Sequence, residues 1–143
     1  MTRHAREAVS LAVVTAVAEA VLQWLVTTDW SNAGAQAMLF AFLVGPPLFL
    51  AMLAWRRREH ALRSRVLFVV AAVCAVGGLS VLGFNYYRFR TDPRMRREIN
   101  MMHLIVPLAQ WAAIMAVWLW LVVTEAKEKR AARQAAAGGP PPA

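Results

Sequence analysis

The segment VLFVVAAVCAVGGLSVLGFN, residues 66–85, contains no Asp, Glu, Lys, Arg or His. As a helix rising about 1.5 Å per residue, it matches the roughly 30 Å hydrocarbon core of a bilayer. It lacks the period-two alternation of a barrel strand. A membrane-spanning helix is therefore its reading, and three further segments repeat the pattern at 7–28, 33–55 and 100–124. The fold class that follows is an all-α integral membrane protein with four transmembrane helices in an antiparallel bundle. Residues 1–126 form this domain, and 127–143 form a basic, then Gly/Pro-rich, cytoplasmic tail.

The composition agrees. Of 143 residues, 59% are hydrophobic and the mean hydropathy is +0.45, too apolar for a soluble domain of this size. Four apolar segments spread along the chain are more than a signal peptide supplies, so the first reads as retained. The single cysteine, Cys74, lies within an apolar run and reads as a small buried hydrophobe. The net charge of +8 sits beside hydrophobic segments, as membrane anchors do, and does not point to nucleic acid.

Short connections, 29–32, 56–65 and 86–99, make successive helices antiparallel neighbours. With both termini inside, the cytoplasmic side carries eleven Lys and Arg: two before the first span, five in 56–65 and four in the tail. The opposite side carries five: Arg88, Arg90, Arg94, Arg96 and Arg97. The count favours N-in and C-in in the inner membrane of a bacterium. A re-entrant third segment is the alternative that the external arginines raise. These arginines form an external basic loop interleaved with Tyr86, Tyr87 and Phe89. It suits lipid headgroups and local pairing with Asp92 and Glu98, or an acidic partner surface or carboxylates such as haem propionates.

Ionisable groups inside hydrocarbon cost about 3 kcal/mol on insertion scales and so face protein or water. Glu19 is the one carboxylate well inside a span, with Gln23 four residues on along the same face. On the fourth span Asn100, His103, Pro107 and Gln110 share a stripe. Pro46, Pro47 and Pro107 are expected to kink their helices and to free the carbonyls of Phe42, Leu43 and His103. Counting residues inward from the outer ends puts Glu19, Phe42 and Gln110 at nearly one depth. Gln23 and His103 then lie in a shallower layer. An intramembrane polar cluster of Glu19, Gln23, Asn100, His103 and Gln110 follows, with Glu19 against Gln110 and Gln23 near His103. Gly77, Gly78, Ser80 and Gly83 on the third span read as a close-packing surface.

Such polar groups commonly serve as hydrogen-bonded glue between helices, about 1 kcal/mol each. HExxH, CxxC, phosphate-loop and GxSxG motifs are absent from the sequence, so the chain reads as no enzyme by itself, with no catalytic or metal residues. It also reads as holding no cofactor alone; a haem or quinone shared with a partner would use His103 and Gln110.

Residues 30–58, WSNAGAQAMLFAFLVGPPLFLAMLAWRRR, resemble the first membrane helix of cytochrome oxidase subunit II, with its polar Ala- and Gln-containing entry, apolar span and basic exit. That family builds a copper site in a β-sandwich from paired Cys, His and Met. This chain has one Cys and no such domain, so no copper-binding residue carries over. The resemblance implies a small helical subunit in a respiratory or other energy-transducing complex. The leading expectation is a non-catalytic accessory subunit or assembly factor among other membrane subunits. The rival is a small transporter or proton-conducting protein using Glu19 and His103.

Overall fold

The computed structural model describes residues 1–27, 32–92, 94 and 102–137, without the side chains of Met102, His103 and Ala137. Four helices make up its regular structure: α1 (Arg3–Val26), α2 (Ala33–Arg56), α3 (Ala61–Thr91) and α4 (Met102–Ala137). All four are long and apolar enough to cross a membrane. Thr2 caps α1 by accepting from the Ala5 amide at 3.2 Å, and Asn32 caps α2 through the Ala35 amide at 3.1 Å. Each satisfies a donor that the first helical turn leaves unpaired.

Three helices run beyond the apolar segments expected of them: α1 from Arg3, α3 at both ends and α4 to Ala137. Arg88 and Arg90, expected in a connecting loop, lie in the last turn of α3, where cations complement the helix dipole. The helix ends at Asp92, whose extended backbone is what a residue before a proline adopts. Asp92 accepts from the Arg94 amide at 2.9 Å, and Arg94 is exposed; Arg96 and Arg97 lie outside the described residues. At its other end α3 begins at Ala61, within the expected 56–65 connection. α3 is one uninterrupted helix, and α4 carries the basic part of the tail as helix to Ala137. Pro46, Pro47 and Pro107 are buried inside continuous helices.

α1 packs along α2 and α3, and α4 along α3 and α2, whereas α1 and α4 touch least. The buried face of α1 is a stripe of small residues, Ala5, Ala8, Ala12 and Ala16, continued by Thr15, Glu19 and Gln23. Lipid is as apolar as leucine, so burying Leu gains little in a membrane; close backbone approach and interhelical hydrogen bonds decide the packing. Small side chains on α1 permit that approach.

The glycines of α3 divide. A Cβ at Gly78 would meet α1 and α4 side chains, but one at Gly77 or Gly83 meets nothing within 4 Å. Gly77 and Gly83 therefore do not belong to the close-packed surface expected of them, and Ser80 is exposed. The buried stripe of α3 instead runs through Leu67, Ala71, Cys74, Ala75, Gly78, Leu82 and Asn85. Gly77→Ala is expected to leave stability unchanged or raise it by up to about 1 kcal/mol through helix propensity, read as the unfolding midpoint in detergent.

Two apolar layers organise the interior. Ala8, Leu50, Leu53, Ala54, Leu67, Ala71, Ile114 and Leu121 form one, and Leu43, Leu82 and Val106 form the other. Gln110 falls between Val106 and Ile114 on α4, Gly78 between Ala71 and Leu82 on α3, and Glu19 between Ala8 and the partly buried Leu22 on α1.

Candidate functional site

Glu19 is completely buried and Gln110 is 4% exposed. Gln110 Nε2 donates to Glu19 Oε1 at 2.6 Å, joining α1 to α4, the helices that otherwise touch least. In this arrangement the Gln110 amide nitrogen donates and the Glu19 oxygen accepts. The same nitrogen lies 3.4 Å from the Cys74 carbonyl oxygen on α3. That third partner is one that depth counting along α1, α2 and α4 does not give, since it directs attention to the Phe42 carbonyl on α2.

Gly78 makes the contact geometrically possible. A Cβ at this position would stand 2.5 Å from Gln110 Nε2 and 2.9 Å from Glu19 Oε1. Only a residue without a side chain lets the amide reach the carboxyl past α3. Cys74, one turn earlier, is buried with a free thiol.

The second acceptors are not matched. Glu19 Oε2, Gln110 Oε1 and Gln23 Oε1 are buried without a hydrogen-bond partner. Gln23 turns its nitrogen to Thr27 Oγ1 at 3.3 Å. Asn100 lies outside the described residues, as does the His103 side chain, so the expected pairing of Gln23 with His103 does too.

No protein-family model, curated protein or solved structure matches the chain.

At the end where the N-terminus meets the α2–α3 turn, a second polar group has formed. Thr2 donates its amide to the Arg58 carbonyl at 2.9 Å, and its hydroxyl lies 2.8 Å from that of Ser64. Arg57 Nε pairs with Glu125 at 2.6 Å, while Arg63 pairs with Glu125 at 3.6 Å and with Glu128. Arg63 is only 7% exposed, so this pairing fastens the end of α4 to the start of α3. Glu125 and Glu128, three residues apart, share one helix face. That spacing is readable, but the distant arginines that answer it are not. Arg63→Ala leaves both carboxylates without this partner. We expect a loss of about 1–2 kcal/mol, discounted for the exposure of Glu128, and faster amide exchange after Thr124 by mass spectrometry.

Alongside the Glu19–Gln110 contact, an open cleft of about 720 Å³ separates α3 from α4. Its walls are mostly apolar, with Gly78 and Gln110 among them.

Proposed function

We propose that the chain is an antiparallel four-span bundle with both termini in the cytoplasm of a bacterium. In this reading it serves as a non-catalytic accessory subunit or assembly factor of a larger inner-membrane complex. The observation that carries the reading is the Glu19–Gln110 contact. The one carboxylate deep within the spans is closed off between two apolar layers and bound by an amide of the helix that α1 otherwise touches least. A buried polar group held in this way acts as a fastening between helices.

The orientation is supported by the gathering of Thr2, the 57–60 turn and Glu125 at one end, the end with more Lys and Arg. Partner contact is supported by the apolar exterior: Val14, Val17, Met38, Val73, Val76 and Phe84 are all more than half exposed. Lipid covers such side chains, and so do helices of other subunits. The respiratory class rests on the resemblance of residues 30–58 to cytochrome oxidase subunit II. Arg88, Arg90 and Arg94 would meet an acidic surface or carboxylates of the partner.

Purification of the tagged chain from its native membranes in mild detergent is expected to bring down a fixed set of membrane proteins. An absorption spectrum of the same sample reports any haem among them. A chain that elutes alone, in cells whose complexes assemble normally without it, removes the subunit reading.

The unpartnered Glu19 Oε2 favours a second reading, a transporter or proton conductor with Glu19 as the switching group. That reading requires flux in proteoliposomes that Glu19→Gln abolishes.

A further inference from the structure

We propose that the cleft between α3 and α4 holds one acyl chain of an anionic phospholipid, whose phosphate lies on Arg88. Val73, Gly77, Val81 and Phe84 line it from α3, and Ile105 and Ala109 from α4, so its walls are almost entirely apolar. Its volume of about 720 Å³ falls within the roughly 300–1,000 Å³ of small-molecule sites. At about 1.5 Å per residue, Val73 to Phe84 extends about 16 Å, half of the roughly 30 Å hydrocarbon core and so the depth of one leaflet. A partner helix would cross both leaflets, whereas the α3 lining stops at Val73. A lipid tail ends where its leaflet ends.

Arg88 decides the head group. With 3.6 residues per turn, Val73, Gly77, Phe84 and Arg88 fall within about 60° of one another on α3, so Arg88 continues the cleft-lining stripe one turn beyond Phe84. It lies just past the uncharged segment 66–85, where the hydrocarbon gives way to the head groups. Arg88 is exposed, and among the described residues its side chain has no ion-pair partner. The phosphate of phosphatidylcholine is already balanced by its own choline, so a head group with net negative charge, such as that of phosphatidylglycerol, gains most from this cation. Arg90 stands about 200° further round α3, away from the cleft, and is left to the carboxylates of a partner. The inference rests on the four helices spanning a bilayer and is independent of the subunit reading.

The test uses the full chain in mild detergent, titrated with phosphatidylglycerol or with phosphatidylcholine of identical acyl chains, and bound lipid is counted by native mass spectrometry. Phosphatidylglycerol is expected to bind about fivefold tighter, the worth of about one basic residue facing an anionic head group. Arg88→Gln should remove that preference, and Arg90→Gln, which lowers the net charge equally, should retain it. Ala109→Phe, at an exposed position in the cleft wall, should weaken phosphatidylglycerol binding by about fivefold or more while the helical circular dichroism stays unchanged. Equal affinities for the two lipids would overturn the proposal and leave Arg88 to the carboxylates of a protein partner. So would equal losses in Arg88→Gln and Arg90→Gln, the sign of diffuse charge attraction, or undiminished binding to Ala109→Phe. Release of the chain from membranes by alkaline carbonate would remove the spans themselves, and the proposal with them.

Discussion

Gln110→Leu is expected to destabilise the detergent-solubilised protein by about 2 kcal/mol, and Glu19→Leu added to it should recover most of that loss. In the single variant Glu19 stays completely buried but loses the donor that now reaches its Oε1. A buried polar group left without its partner costs about 1–3 kcal/mol, more when charged, whereas replacing both partners with apolar groups is close to neutral. The opposing consideration is that interhelical hydrogen bonds in membranes average only about 0.6 kcal/mol, because the separated helices find other partners in lipid. That average describes the bond. The stranded carboxyl is a separate cost, and it makes the single variant worse than the double. Glu19→Gln should behave differently from both, since its amide oxygen still accepts from Gln110 Nε2, and a loss below about 1 kcal/mol is expected. Unfolding in increasing mole fractions of SDS, followed by helical circular dichroism, measures all four proteins. A double variant less stable than Gln110→Leu alone would mean that the pair acts as more than a fastening.

The four helices long and apolar enough to cross a membrane were legible because hydrophobic length alone carries them: 66–85 has no charged residue over a length that matches a bilayer's hydrocarbon core. The meeting of Glu19 and Gln110 was accessible by a related route. Two polar groups at one depth in short-looped helices have few places to turn except toward each other. Helix ends were less legible. Hydropathy marks where the apolar stretch stops, but backbone hydrogen bonding carries α3 on through Tyr86–Thr91 until Pro93 makes Asp92 extended. The pairing of Arg57 and Arg63 with Glu125 and Glu128 was hidden for another reason. It joins positions more than sixty residues apart, and the sequence shows charges on each segment without showing which will be brought together. Gly78 is the instructive case. Four small residues, Gly77, Gly78, Ser80 and Gly83, looked equivalent in the sequence, yet only the rotation of α3 decides which one faces the carboxyl.

That rotation gives the last expected result its sharpness: Gly78→Ala should cost about 2 kcal/mol, while Gly77→Ala, one residue away, costs nothing. Helix propensity favours alanine at both positions by up to about 1 kcal/mol, so propensity alone predicts two stabilised proteins. At Gly77 the added methyl enters open space. At Gly78 it would lie 2.5 Å from Gln110 Nε2 and 2.9 Å from Glu19 Oε1, distances at which neither atom can stay. Val106 Cγ1, at 3.5 Å, is in ordinary contact and need not move. Overpacking of a filled interior costs about 1–3 kcal/mol, and here the groups displaced are the two that depend on each other for their hydrogen bond. Gln110 can retreat into the α3–α4 cleft, so the methyl can be accommodated, but only by drawing the amide away from the carboxyl. The penalty should therefore shrink when the contact has already been removed. In the Glu19→Leu/Gln110→Leu background, Gly78→Ala meets only flexible apolar side chains and is expected to cost less than about 1 kcal/mol. An equal penalty in both backgrounds would show that Gly78 is required by the approach of the helix backbones themselves and not by the polar contact it now accommodates.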